Sequence, residues 1–305
     1  MNKITEDLLK IVSDYDGKYD GAYNIREDCQ SVARRSTENI QIDSKKGAPG
    51  LIVTVKPNTK GEKVYIPACV TKAKVDDLVY NDFIIGENAD VTIVAGCGVH
   101  TDSGEEARHN GIHRFFLSKG SKVLYEEKHI GTGAENGNRV IDPVTEAELE
   151  ENSSLTMDTS QLGGVSRTDR RTKVKMKAGA RLEIRERILT DGDERAKTSF
   201  EVEINGSDAG VNLISRSVAK GESYQEYHST IIGNEKCTGH SECDAILADN
   251  GRVSASPSLV ANHRDAALIH EAAIGKIAGE QILKLCSLGL NEKEAEATIV
   301  NGFLK

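Results

Sequence analysis

The feature that most constrains this chain is its long middle, about residues 50 to 255, where short runs alternate apolar and polar residues with period two. The runs are LIVTV (51–55), KVYIP (63–67), DVTIVAG (90–96), KVLYEEKH (122–129), KVKMKA (173–178), RLEIRER (181–187), SFEVEI (199–204) and GVNLISRSVA (210–219). Alternation sends successive side chains to opposite faces, so each run reads as a strand with one face buried. Glycines recur at the entries to these strands, in GENADVTI (86–93), KGSKVLY (119–125), AGARLEI (178–184) and NGSDAGVNLI (205–214). Glycine takes the positive-φ corner that a tight turn needs. The corners are spaced by roughly 25 to 35 residues or multiples of that, the scale of a solenoid of stacked strands. An antiparallel sandwich would show the same alternation.

Composition fits a layered body. The chain has no tryptophan and only 4% aromatic residues, so Val, Ile, Leu and Ala must fill its interior. The net charge of −9 argues against a general nucleic-acid surface, which needs a basic face. No apolar run nears the ~18 residues of a membrane span, and the N-terminus does not read as a secretion signal. These points predict a cytoplasmic protein that engages neither nucleic acid nor membrane. Its six cysteines, Cys29, Cys69, Cys97, Cys237, Cys243 and Cys286, are then expected as thiols.

The termini read as helical. Leu8, Leu9, Ile11 and Val12 form an apolar stripe from Thr5 to about Tyr15, with Thr5 as its cap. Near the C-terminus, Ala267, Ile269, Ala272, Ile274, Ile277, Ile282 and Leu285 follow helical spacing. Gly289 marks a stop, and Asn291 with Glu294 caps a second helix through Val300. The expected divisions are an N-terminal helical or irregular segment (1–49), a β core (50–262) and a C-terminal helical region (263–305). Helices at both ends would cap the exposed edges of a solenoid.

Four stretches carry candidate chemistry. CTGHSEC (237–243) spaces Cys237, His240 and Cys243 three apart. On a straight strand such positions point to opposite faces and the two cysteines lie ~20 Å apart, so a shared metal demands a turn at Thr238-Gly239. HEAAIG (270–275) opens like a zinc-protease helix, but Ile274 stands where that motif needs histidine. On a helix, Glu271 would serve either the helix start or a ligand. GCGVHTDSGEEARHNGIH (96–113) gathers Cys97, His100, His109 and His113. It reads as a solvated loop with a buried Cys97, or as a metal or sulfur site. GTGAENGNR (131–139) reads as a mobile loop, and no phosphate-binding glycine motif opens a helix.

Together these residues resemble the SufB/SufD family of iron–sulfur cluster assembly scaffolds, over nearly the whole chain. The resemblance is carried by GAYNIRED (21–28), GCG (96–98), KGSKVLY (119–125), SRSVAKGESYQEYHSTIIG (215–233), ECDAIL (242–247), ALIHEAAIGKIAGEQ (267–281) and GLNEKEAEATIVNGFL (289–304). The compact length is similar to that of the short SmsB members of minimal SmsCB systems. The resemblance implies a mainly β chain: a right-handed parallel β-helix core with an N-terminal helix and a C-terminal helical hairpin. It implies a non-enzymatic scaffold that works as a homodimer, holds an iron–sulfur cluster transiently, docks a SufC/SmsC-like ABC ATPase through its C-terminal hairpin, and passes the cluster to apo iron–sulfur proteins. Cys243 falls on the family's cluster-associated cysteine. Glu271 falls on the glutamate of its HEA motif, with His270 beside it and His240 as a further alternate ligand. Cys97 falls near the cysteine that accepts sulfur in larger members, although GVHTDSGEEARH departs from the family's Ala-Pro turn. Cys243 and Glu271 are expected to meet where the C-terminal helix returns to the β edge, each from two subunits, with Cys243 closed off at rest among Ala245 and Leu247. The competing reading is a SufD-like structural subunit without a cluster, which tends to lack the Cys243 equivalent. A secreted polysaccharide-acting β-helix enzyme is disfavoured, since no secretion signal is read.

Overall fold

The computed structural model describes all residues, 1–305. Eight parallel strands form one wall: Lys60–Val70, Asp90–Thr101, Lys122–Gly133, Ser154–Leu162, Arg181–Thr190, Gly210–Ala219, Thr238–Leu247 and Ala267–Lys276. The strands between them in sequence, from Gly50–Val55 to Arg252–Ala261, pair in parallel to form the opposite wall. Each turn of chain thus adds one strand to each sheet. In the first wall Ser154, Arg181, Gly210, Thr238 and Ala267 stand in register, turn upon turn. This parallel stacking is a β-solenoid of about eight turns and rules out the antiparallel sandwich.

The corners explain the glycine pattern and correct it. Asn58, Asn88, Gly120, Asn152, Gly179 and Asp208 each take left-handed backbone at the same corner of successive turns. Asparagine and aspartate tolerate that conformation next best after glycine. In GENAD and NGSD the positive φ therefore falls on Asn88 and Asp208, and Gly86 and Gly206 do something else. A Cβ at Gly86 would stand 2.5 Å from the Pro57 nitrogen, and one at Gly206 would stand 2.0 Å from the Ala178 nitrogen. These glycines let one corner rest on the backbone of the one before it.

Helix α1 (Lys3–Ser13) is capped by Asn2, whose Oδ1 accepts from the Thr5 N–H at 2.8 Å; Thr5 is buried inside the helix and is not the cap. Leu8, Leu9 and Val12 are buried against the first wall. GCG is the seat for this helix. A Cβ at Gly96 would lie 2.5 Å from the Val12 carbonyl oxygen, and one at Gly98 would lie 2.9 Å from the Leu8 side chain. Before residue 50 the chain also forms strands Ala22–Glu27, Gln30–Arg35 and Ile40–Ser44, which extend the two sheets.

Two expected loops are ordered. Residues 96–113 lie on strands Asp90–Thr101 and Glu106–Leu117 joined by a short turn. GTGAENGNR spans the end of one strand and the start of Asn138–Ile141. The Arg139 guanidinium pins it by donating to the carbonyls of Gly164, Thr132 and Ala134 at 2.6–3.1 Å.

The C-terminus departs most from its spacing. Residues Ala267–Lys276 form the last strand of the first wall, not a helix; α2 is Gly279–Ser287 and α3 is Glu292–Phe303. Gly289 takes φ 103° after α2, and the Asn291/Glu294 capping box opens α3 as the sequence predicts. The helices do not cover the end of the solenoid. Ile269 is 57% exposed on the edge strand, and Ile274, Leu259 and Val260 are also exposed there.

Candidate functional site

Strand Thr238–Leu247 is straight, with no turn at Thr238-Gly239, so its pleat decides what each side chain can meet. Gly239, Ser241, Cys243 and Ala245 face the interior, while His240, Glu242 and Asp244 face outward. Cys243 is 1% exposed and packs in the main core. Burial, then the nearby Glu186 and Asp244 carboxylates, push its thiol up to about 12. It is therefore a protonated thiol at neutral pH, neither a ligand nor a nucleophile as it stands. Cys237 is buried in the same core one residue before the strand, and CTGHSEC brings no pair of cysteines together around a metal.

The next strand carries the HEA residues. Cys243 stands in register with Ala272, and Glu271 with Glu242. Glu271 thus points outward, its side chain 68% exposed, on the opposite face of the sheet from Cys243. The expected meeting of Cys243 with Glu271 through a returning helix does not occur within one chain. The two are neighbours in sequence register, yet the alternation of a strand separates them. His270 turns inward, with Nδ1 3.0 Å from the Ser241 carbonyl oxygen. On the outer face His240 Nε2 lies 3.5 Å from Glu271 Oε2, and its Nδ1 lies 2.9 Å from Asn212 Oδ1.

A row of buried charge, which the sequence reading missed, runs through the interior toward Cys243. Asp77 accepts from Arg26 at 2.6–2.9 Å and lies 3.1 Å from His109 Nδ1. Burial alone would raise its carboxyl; hydrogen bonds from His109 and Arg26 override that and hold it well below the carboxylate range. Next, His113 Nδ1 lies 2.8 Å from the Tyr125 hydroxyl, which donates to Glu127 at 2.7 Å. Glu127 accepts from Arg170 at 2.6 Å, and Arg170 Nη2 lies 3.1 Å from His129 Nδ1. Arg170 Nε lies 3.4 Å from Glu186, which accepts from Thr198 and Ser215 at 3.0 and 2.9 Å. Ser215 is the register neighbour of Cys243. Burial tends to raise the Glu127 carboxyl, but His129 and Arg170 hold it ionised. Glu186 is instead raised, by burial.

Cys97 faces this interior, beside a cavity of about 20 Å³ that Arg26, Ala68, His109 and His113 also line. Burial, then Glu127, push its thiol well above the usual range. His109 and His113 belong to the row, whereas His100 faces outward, 3.0 Å from Thr132 Oγ1. Residues 96–113 therefore form neither a solvated loop nor a single metal cluster.

Sequence comparison identifies the family to which the chain belongs. A family model described as SUF system FeS cluster assembly, SufBD core domain, matches residues 77–303. The chain belongs to the SufBD family. A relative from Archaeoglobus fulgidus, named an iron–sulfur cluster assembly SufBD family protein, is 30% identical over 250 residues, 80% of this chain and 66% of its own. One of the same name from Methanothermobacter thermautotrophicus is 27% identical, covering 84% of this chain and 62% of its own length. A third, from Methanocaldococcus jannaschii, is 26% identical, covering 77% and 74%. The chain thus spans about two thirds of the length of the first two relatives. The SufBD match takes in the strands that carry Cys97, Cys243, His270 and Glu271, and both C-terminal helices, but not α1. Of the other cysteines, Cys69 is buried beneath α1, Cys29 is exposed at a hairpin turn, and Cys286 is half-buried on α2 instead of in the core. No helix is long and apolar enough to cross a membrane.

Proposed function

We propose that this chain is a cytoplasmic, non-enzymatic scaffold on which an iron–sulfur cluster is built, held transiently, and passed to apo iron–sulfur proteins. Cys243 and Glu271, each contributed by two copies of the chain, hold the cluster. One observation carries this reading within the SufBD family: a buried, protonated thiol sits a single strand from an uncovered sheet edge. A sealed core cysteine would have no route to iron or sulfide. An exposed thiolate would be open to oxidation.

The uncovered end, with Ile269, Ile274, Leu259 and Val260, suits a second copy, because exposed strands and apolar side chains are removed from water by pairing. A twofold axis there supplies two thiols and two carboxylates, and His270 and His240 stand close enough to substitute as ligands. Carboxylates are harder ligands than thiolates, so such a site holds a cluster loosely enough to release it. Since Cys243 and Glu271 point to opposite faces, loading requires the strand Ala267–Lys276 to shift. That strand leads directly into α2 and α3, where Leu283 and Leu288 are exposed. In this reading a SufC/SmsC-like ABC ATPase docks on these helices, and ATP binding favours the shifted state through its differential affinity for the two states. In the same reading Cys97 is the sulfur acceptor, once an opening near its small cavity makes it a thiolate.

Anaerobic reconstitution with iron and sulfide tests the proposal. Cys243→Ser is expected to remove the cluster absorbance and Cys286→Ser to keep it, with Glu271→Gln weakening retention in a folded chain. A full-yield, transferable cluster on Cys243→Ser would overturn the assignment. Absence of a cluster on wild-type chain and ATPase together would favour a structural subunit without one.

A further inference from the structure

Three side chains converge on the outer face of the first wall, across one sheet layer from Cys243. Ligand atoms of His240, Glu242 and Glu271 all lie within 4.8 Å of one another. We infer that these three residues bind one divalent first-row metal ion, independently of the Cys243 thiol. The choice of iron(II) as the natural ion rests on the assembly reading above; the site itself does not.

The imidazole is already oriented for a metal. Its Nδ1 lies 2.9 Å from Asn212 Oδ1, and an amide oxygen only accepts, so Nδ1 carries the proton. That leaves a lone pair on Nε2, which lies 3.5 Å from Glu271 Oε2. A hydrogen bond from the far ring nitrogen to a neighbouring oxygen is the usual way a metal-binding histidine is held. The carboxylates supply the second argument. Glu242 and Glu271 stand in register on adjacent strands, roughly 4.8 Å apart at the backbone. No lysine or arginine lies within 4.0 Å of either. Arg216 stands in register with Asp244, one outward position further along. Two like charges facing each other without a counter-ion disfavour the fold, and a divalent cation removes that cost.

Distances and donor types narrow the ion. Ligands at about 2.1 Å from a metal put adjacent donors about 3 Å apart, so the His240–Glu271 spacing needs little change. Both glutamates keep rotamer freedom to close the rest, Glu271 most of all on the edge strand. One nitrogen and carboxylate oxygens suit Fe(II), Mn(II), Co(II) or Zn(II), not Cu(I) or a sulfide cluster, which favour thiolates. Three protein donors leave open coordination positions, so a bound ion stays exchangeable. The strand Thr238–Leu247 would then present a metal on one face and a thiol on the other, at alternating positions.

The test is an anaerobic Mn(II) titration of the full chain read by electron paramagnetic resonance, with Fe(II) as competitor. One saturable site is expected, displaced by Fe(II). His240→Gln and Glu242→Gln should each weaken it at least tenfold, and Asn212→Leu about tenfold, as for the outer partners of metal ligands. Cys243→Ser should bind as tightly as wild type. These positions face solvent, and circular dichroism checks each fold. Unchanged binding in the His240→Gln/Glu242→Gln double variant, no saturable binding at millimolar Mn(II), or loss of binding in Cys243→Ser would each overturn the inference. Cluster reconstitution keeps the two readings apart. Metal binding with no cluster sinks only the assembly reading; a cluster lost in Cys243→Ser with no Mn(II) site sinks only this one.

Discussion

The middle turns and the last turn of this solenoid are built by the same repeat, yet they treat their inward positions in opposite ways. Between Asp77 and Ser215 the interior holds Arg170, Glu127, Glu186 and three histidines, all buried and each within hydrogen-bonding distance of a polar neighbour. In the final strands, Arg252–Ala261 and Ala267–Lys276, inward positions other than His270 carry small or apolar groups, and much of their surface meets water. The contrast teaches that closure, not composition, separates the rigid part from the adjustable part. A buried charged row ties each middle turn to the next, because breaking it strands an ion in a low-dielectric interior. The last turn has no such tie and can move at low cost.

The largest effect that can break this comparison comes from Arg170. Arg170→Met removes the guanidinium that Glu127 and Glu186 share, and should cost about 3–5 kcal/mol in denaturant unfolding. Adding Glu127→Gln should return part of that loss. A cost below about 1 kcal/mol would show that the row does not hold the middle turns.

Next in size is a pH effect. Burial pulls His113 down from the ordinary 6.5 to about 4. Between those values the folded chain binds fewer protons there than the unfolded chain does. Stability therefore falls as pH drops through that window, by at most about 1.4 kcal/mol per pH unit from this group, and levels off below about 4. His129, also lowered by burial, acts in the same direction, while the raised Glu186 acts against it. His113→Gln should flatten the wild-type slope between pH 6.5 and 4, as read from unfolding midpoints. An unchanged slope would contradict a neutral His113.

The smallest effect belongs to the last turn. Lys220 meets Glu296 of α3 at 3.0 Å, both about one third exposed. Glu296→Gln should cost well under 1 kcal/mol, since exposed pairs contribute little. A larger loss would mean that the helices are docked as firmly as the interior is tied.

How much of this was legible in the sequence differs between the same two regions. The solenoid was readable because Val, Ile and Leu alternate with polar residues in run after run, and because corners recur. The charged row was not, since Glu127, Arg170 and Glu186 look like solvent-facing residues until the register of one turn on the next is known. The last strand misled for another reason. Ala267, Ile269, Ala272 and Ile274 fit a helical stripe, but short apolar runs do not distinguish helix from strand. The edge of strand Thr238–Leu247 supplies a ready template, and backbone pairing along it overrides local spacing. That single change of element turned Glu271 away from Cys243. ECDAI and HEA marked the right neighbourhood without revealing which face each residue occupies.

The most direct test is alkylation of each cysteine by a thiol reagent, followed by mass spectrometry, with and without the proposed ABC-type ATPase and ATP. In the isolated chain, exposed Cys29 should react quickly while Cys243, Cys97 and Cys69 stay protected. Adding the ATPase with ATP should make Cys243 reactive and leave Cys69, beneath α1, protected. If Cys243 reacts as fast as Cys29 in the isolated chain, or stays protected in a complex that is assembling clusters, then a closed thiol opened at the edge of the solenoid is the wrong description.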